Sequence, residues 1–405
     1  MSADALDLGT LLRRLPEVAP DDLGGLLDLV CASAPYPVAA AVFLSDYQER
    51  VLIELGPDAR RRGLMLPVLE SAAGHAFTSQ EPLRVPDEAV LWVPLTNRWR
   101  RIGVLRLTYP GSTSPGSISP GELPGRAADD GVALAGLVAT VLDSASRCTD
   151  AFHLAKRQES MALTADMQWD LLPPPAVAAE GVTMAGRLEP AYEVGGDAFD
   201  YAINAGNAQL AIFDPVGHDL RSATLCATAV GAYRNSRRSG LDVADTSRLI
   251  DAAIRSCFPW GSFVTGQLFQ LDLGTGQLTW TNAGHPLPLL LRDGQVSRVS
   301  SGPDRPWGLG PAAVTIGQVA LHPGDRLLVV TDGVLEARSG DGDAFGPGRL
   351  EDLLAAESRE PGSPAEVLRR ILDATIDHRG GPLQDDATAV LLEWRGHAEL
   401  PALGG

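Results

Sequence analysis

With 405 residues the chain is too long for one ordinary hydrophobic core, so two or three domains are expected. Its 51 acidic residues against 33 basic ones leave a formal net charge of −18, which excludes a surface built for nucleic acid or anionic membrane and leaves proteins and small molecules as partners. Cys31, Cys148, Cys226 and Cys257 are widely scattered without a Cys-x-x-Cys pair, which excludes the usual zinc and dithiol patterns. The N-terminus carries acids where a signal peptide carries bases, and the Val38 to Leu44 apolar run is far below the ~18 residues of a spanning helix. A soluble cytoplasmic protein is the expectation.

Leucines at helical spacing from Leu6 to Ala32, interrupted by Pro16 and Pro20, predict two short helices. Val38 to Leu44 and Arg50 to Leu55 read as strands around a turn at 46–49, a helix is expected through Glu70 to Phe77, and Ala89 to Leu95 with Ile102 to Leu107 form a second strand pair. Pro110 to Gly125 is rich in Pro, Gly and Ser and reads as an exposed loop. From Val132 to Leu172 there is no proline, and Leu134, Val138, Val141, Ala145, Cys148, Phe152 and Ala155 keep a four-three apolar alternation. Two readings stand side by side: one continuous signalling helix with a homodimeric seam, or a last helix of the first domain followed by a separate helix packed on the next.

The centre of the chain is Val194 to His218, two β-prone runs around Asn204-Ala-Gly-Asn207. With Ala205 and Gly206 as the loop pair, Ile203 faces Ala208, Tyr201 faces Leu210, Phe199 faces Ile212 and Asp197 faces Asp214. Facing side chains stand about 5 Å apart at Cβ, where two carboxylates repel by roughly 3 kcal/mol at an effective dielectric near 20. A one-residue slip would send the two acids to opposite faces; without it, a cation belongs between them.

Beyond the hairpin, helices are expected over Asp219 to Arg238 and Leu241 to Cys257, strands over Phe263 to Leu271, Gln277 to Asn282, Leu287 to Arg292, Gln295 to Val299 and Val314 to Leu321, and a helix over Ala365 to Asp377. Arg326 to Val330 is an apolar strand running into Thr331-Asp332-Gly333, and Asp385-Asp386 opens the last strand. Asp197, Asp214, Asp332 and Asp385 or Asp386 therefore each lie at a strand end, where strands of a sandwich converge. Such an all-oxygen cluster suits hard ions such as Mg²⁺ or Mn²⁺.

Val194-Gly-Gly-Asp-Ala-Phe-Asp200, Phe213-Asp-Pro-Val-Gly-His218, Asn282-Ala-Gly-His-Pro286, Val330 to Arg338, Phe345-Gly346 and Gln384-Asp-Asp-Ala-Thr388 occur in order and spacing that resemble the SpoIIE branch of the PP2C-type (PPM) protein phosphatases. The pattern of residues 20–145, with Val93-Pro-Leu95 and Arg101 to Leu105, resembles a GAF domain. The resemblances imply an α+β protein: a GAF-like sensor over 1–126 with an unidentified small ligand, a long helical linker over 127–172, and an α-β-β-α sandwich over 173–396. They also imply two Mn²⁺ or Mg²⁺ ions held by Asp197, Asp214, the carbonyl of Pro215, Asp332 and Asp385, with Asp386 behind them, and a phosphorylated anti-anti-sigma (STAS-type) protein as substrate. The family's last Gly of Asp-x-x-Gly-His-Gly is here Asp219, which can cap a helix, and no arginine matches the phosphate-binding one of eukaryotic relatives. His218 and His285 stand between a proton-donor and a structural role. A phosphatase-shaped binding protein and another two-metal phosphohydrolase are the alternative functions; the absence of a Walker Gly-Lys-[Ser/Thr] loop speaks against a P-loop enzyme.

Overall fold

The computed structural model describes residues 6–396, apart from 59–61, 86–87, 98–99, 110–125, 180, 191, 193–194, 205, 218, 260, 303, 311–312 and 360–361. The chain divides into two compact units, Met1–Ser160 and Met161–Gly405. The loop expected at Pro110 to Gly125, the expected turn residue Ala205, and Val194 and His218 of the site motifs lie outside the described residues.

In the first unit, α1 (Leu8–Arg14), α2 (Leu23–Ser33), β1 (Ala39–Ser45), β2 (Val51–Leu55), β3 (Arg62–Pro67), α3 (Ala72–Ser79), β4 (Leu83–Val85), β5 (Val90–Asn97), β6 (Arg100–Thr108), α4 (Ala127–Ala145) and α5 (Ala151–Lys156) follow one another. Six strands form one antiparallel sheet in the order β3-β2-β1-β6-β5-β4. Its alternating side chains supply two cores. Val42, Leu44, Val93, Leu105 and Leu107 pack with α2, α4 and α5, whereas Phe43, Leu52, Trp92 and Val104 pack with Phe77 of α3.

The stretch expected as a linker is helical in three pieces, of which α4 and α5 belong to the first unit. Leu134, Val138, Phe152 and Ala155 of the four-three stripe are buried in the unit's own core, so most of the seam that pointed to a homodimer is already covered. The helix stops at Ala145, and Asp150 starts α5. Gly131 explains how close α4 comes to the sheet: a Cβ there would stand 3.1–3.2 Å from Leu91, Leu107 and Val93.

The second unit runs α6 (Leu163–Leu171), β7 (Ala176–Ala179), β8 (Val182–Glu189), β9 (Ala198–Asn204), β10 (Asn207–Pro215), α7 (Leu220–Arg238), α8 (Val243–Cys257), β11 (Val264–Asp272), β12 (Gln277–Ala283), β13 (Leu289–Arg292), β14 (Gln295–Arg298), β15 (Gly317–Ala320), β16 (Arg326–Val330), α9 (Asp332–Leu335), α10 (Gly346–Ala356), α11 (Pro364–Arg379) and β17 (Ala387–Trp394). One sheet has the order β15-β12-β11-β10-β9 and the other β14-β13-β16-β17-β8-β7, with antiparallel pairing throughout both. Phe199, Tyr201, Leu210 and Ile212 of the first sheet meet Met184, Leu327, Val390 and Leu392 of the second between the sheets. Ala198, Ala211 and Phe213, on the opposite face of the hairpin, pack under α7 and α8, and Ala185, Leu328 and Leu391 pack under α10 and α11. The result is a four-layer α-β-β-α sandwich, as the motifs implied.

Candidate metal centre

The hairpin sets the site. β9 and β10 pair as Ile203 with Ala208, Tyr201 with Leu210 and Phe199 with Ile212, the register read from the sequence. Gly206 turns the tip with φ +83°, which a side chain disfavours. Continued one step past Ala198, this register places Asp197 opposite Asp214. Gly195 and Gly196 approach neighbours closely: a Cβ on Gly195 would stand 2.6 Å from the Thr164 backbone, and one on Gly196 2.7 Å from Ser222 Oγ.

Asp332 is the first residue of α9, directly after β16, and Gly333 leaves room for the Asp386 backbone against that helix. Asp385 and Asp386 directly precede β17. Asp386 is buried and accepts from the backbone N–H groups of Gly196 (2.6 Å) and Asp197 (3.0 Å) through Oδ2. Asp385 is exposed, with its Oδ1 accepting from the Asp386 N–H. Pro215 ends β10, buried and paired with Val264. Asp219 caps α7, accepting from the N–H groups of Arg221 and Ser222.

These acids share one electrostatic environment. Burial raises the Asp197 carboxyl well above the usual range, and Asp214 and Asp386 raise it further. Asp214 is pushed up to about 7 by burial, with Asp332 the largest neighbouring charge and Asp385 and Asp386 adding to it. Asp332 and Asp386 are raised as well, each chiefly by burial and then by Asp385, although for Asp386 the backbone N–H groups of Asp197 and Gly196 oppose the shift more strongly than Asp385 promotes it. Among the described residues no three His, Cys, Asp or Glu side chains are already drawn into an ion-holding group. The oxygens nevertheless fit a hard cation. Asp197 Oδ2 and Asp386 Oδ1 are buried with no hydrogen-bond partner among the described residues, and a positive charge would relieve the repulsion that raises all four groups.

That repulsion carries a sign. A carboxyl whose folded pKa is raised favours the folded state at low pH and loses that advantage as pH climbs through the folded value, near 7 for Asp214. Chelator-treated protein is therefore expected to melt at a higher temperature at pH 6 than at pH 8, by on the order of 5 °C, and added Mn²⁺ should narrow the difference. Calorimetric scans at both pH values with and without the ion check this.

Three polar residues around the acids, Gln168, Thr265 and Arg221, gave no signal in the sequence, whereas His285 did. Gln168 of α6 donates through Nε2 to the Asp197 carbonyl and lies 3.5 Å from Asp386 Oδ2. Thr265, opposite Asp214 on β11, reaches Asp214 Oδ2 at 3.1 Å. Arg221, on the first turn of α7, donates to Ser262 Oγ at 2.6 Å, six residues after the end of β10. His285 is only 5% exposed, and burial lowers its pKa to about 3, with the Val330 backbone opposing the shift, which favours the neutral imidazole.

Two sheets back to back with a strand-end carboxylate cluster are the architecture of a PP2C-type phosphatase domain. Residues 204–395, just under half of the chain, match the family model described as Stage II sporulation protein E (SpoIIE), so the second unit carries a SpoIIE-family domain of the PP2C/PPM serine/threonine phosphatases. Protein IcfG of Synechocystis sp. is 34% identical over 128 residues, 31% of this chain, and the chain covers 19% of that relative's length. Among solved structures, the SiaA-PP2C domain of Pseudomonas aeruginosa is 24% identical with a TM-score of 0.49, covering 57% of this chain and 94% of that one. The PP2C phosphatase domain with a fragment of the regulatory domain of SpoIIE from Bacillus subtilis is 20% identical with a TM-score of 0.45, covering 53% and 63%.

Proposed function

We propose that the chain is a cytoplasmic, metal-dependent protein serine/threonine phosphatase that removes phosphate from a small folded regulatory protein of the anti-anti-sigma type, under control of a GAF-like first unit. The observation that carries the reading is the convergence of Asp197, Asp214, Asp332 and Asp386, each destabilised as an anion by burial and by neighbouring carboxylates, with Asp385 among those neighbours, inside a SpoIIE-family domain. Asp197, Asp214, Asp332 and Asp385, with the Pro215 carbonyl, would hold two Mn²⁺ or Mg²⁺ ions. Bound there, such ions activate water for in-line attack and neutralise charge on the phosphoryl oxygens.

The protein's own residues do the rest. Asp386 fixes the Gly196-Asp197 backbone through two N–H contacts and so aims Asp197. Paired strands carry the acids at adjoining ends, β9 with β10 and β16 with β17, and such positioning is the preorganisation that phosphoryl transfer requires. Arg221, at the start of α7 and hydrogen-bonded to Ser262 Oγ, would be the cation for a substrate phosphate. Among the described residues no helix is long and apolar enough to cross a membrane.

The test is hydrolysis of a generic phosphate ester. Release that requires Mn²⁺ or Mg²⁺, is abolished by EDTA and returns on adding the ion supports the reading. Turnover indifferent to EDTA overturns it, and tight phosphoprotein binding without turnover would favour a phosphatase-shaped binding protein.

A further inference from the structure

The Asn282-Ala-Gly-His285 turn is built to hold one imidazole. Asn282 Oδ1 accepts from the His285 N–H at 2.7 Å, and Asn282 Nδ2 donates to the His285 carbonyl at 2.9 Å. Gly284 between them has φ +72°, and Pro306 packs against it so that a Cβ would stand 3.0 Å from its ring. The ring so fixed is buried, and its Nδ1 lies 3.2 Å from Thr265 Oγ1.

Thr265 Oγ1 has one proton and three neighbours able to accept it: Asp214 Oδ2 at 3.1 Å, the Asp214 carbonyl at 3.3 Å and His285 Nδ1. A carboxylate is the strongest acceptor of the three. Once the hydroxyl donates to Asp214, its remaining contact with Nδ1 is a hydrogen bond only if Nδ1 carries a proton and donates. His285 Nε2 makes no hydrogen bond of normal geometry among the described residues, although the Val330 backbone is near enough to the ring to favour its protonated form.

We infer that His285 is a positioning residue: as the Nδ1–H tautomer it donates to Thr265, which donates to Asp214 and fixes the carboxylate for its ion. This rests on the reading of Asp214 as an ion-holding group. The competing arrangement turns the chain around. Nε2–H would point at the Val330 carbonyl, Thr265 would donate to Nδ1, and Asp214 would lose its support. Histidines that orient metal-holding groups from behind typically change ion affinity by about 10- to 100-fold.

Two measurements decide it. The first is nitrogen NMR on ¹⁵N-histidine-labelled full-length protein with Mg²⁺, a diamagnetic ion, which reads the tautomer without any substitution at the site; His285→Gln is used only to assign the signal. A neutral ring protonated at Nδ1 between pH 8 and 5 supports the inference, and one protonated at Nε2 overturns it.

The second is Mn²⁺ titration by calorimetry on folded variants. His285→Ala and Thr265→Val should each weaken binding about 10-fold or more, the double variant should be no worse than Thr265→Val alone, and His285→Asn, whose amide can donate, should recover part of the loss. Additive losses, or full affinity in His285→Ala, overturn the inference. Asp214→Asn serves as the control: if it alone binds Mn²⁺ normally, the metal-centre reading has failed, whereas its loss beside an unaffected His285→Ala sinks only the histidine's role.

Discussion

Asp214→Asn and Asp332→Asn are each expected to lose metal-dependent phosphate release by on the order of 10³-fold, equivalent to about 4 kcal/mol of transition-state stabilisation, while remaining folded. The two halves of this expectation have one cause. Burial first, and neighbouring anions after it, push the Asp214 pKa to about 7, and a neutral amide of the same shape removes both penalties as it removes a ligand. Without added ion, Asp214→Asn should therefore melt at or above the wild-type temperature at pH 8. With Mn²⁺ the order should reverse, because only the wild type gains binding energy on folding. Steady-state rates and paired melts check both halves. Unchanged turnover in the two variants would remove Asp214 and Asp332 from the site, and a collapse of the ion-free Asp214→Asn protein would show that the carboxylate is structural.

The parts of the site that lie on regular pairing were legible in the sequence. The hairpin register followed from one turn, because choosing the loop pair fixes every later pair, and the observed ladder keeps that register to Phe213 with Ala198, one step short of Asp214 and Asp197. Asp332 and Asp386 were legible as acids at the ends of apolar runs. What could not be read depends on contacts across the chain. Thr265 matters only because β11 lies beside β10 in a register that sets it opposite Asp214, 51 residues away, and one threonine in a strand leaves no periodic mark. Gln168 is a polar residue on an otherwise ordinary helix until α6 brings it to Asp197.

The helical stretch from 127 to 172 shows the opposite limit. Composition and periodicity correctly marked it as helical, but the same apolar stripe serves a coiled-coil seam or the face of a domain helix. Leu134 and Val138 are buried in the first unit's core, so over α4 the stripe serves as the face of a domain helix. The α10 helix was missed because Gly346-Pro347-Gly348 reads as a turn, although proline near a helix start is compatible with its first turn. The short edge strands β4 and β7 carry too few residues for a pattern of period two.

An intact phosphorylated partner protein is expected to be hydrolysed with a kcat/KM at least about 100-fold above that of a phosphopeptide cut from it, equivalent to roughly 3 kcal/mol of docking energy expressed in the transition state. On the proposed reading, ions held by the carboxylates would grip phosphoryl oxygens and little else, so selectivity has to come from the surface around them. That surface belongs to a chain with net charge −18, which disfavours acidic peptides in general and rewards a folded partner with a less acidic, complementary face. Val216 and Leu220, beside the Asp214 loop, and Leu287, two residues beyond His285, are exposed apolar side chains in site-bearing segments. Such residues contribute to binding when a folded surface covers them and excludes water; a short peptide covers fewer. Val216→Ser together with Leu287→Ser should therefore raise KM for the phosphoprotein about 10-fold or more while leaving the rate on a generic phosphate ester within about two-fold. Released phosphate measured for protein, peptide and ester at one fixed Mn²⁺ concentration reads all three. Equal efficiencies for protein and peptide would mean that the partner's fold is not read, and a parallel loss on the ester would mean that the two side chains support the centre rather than the docking surface.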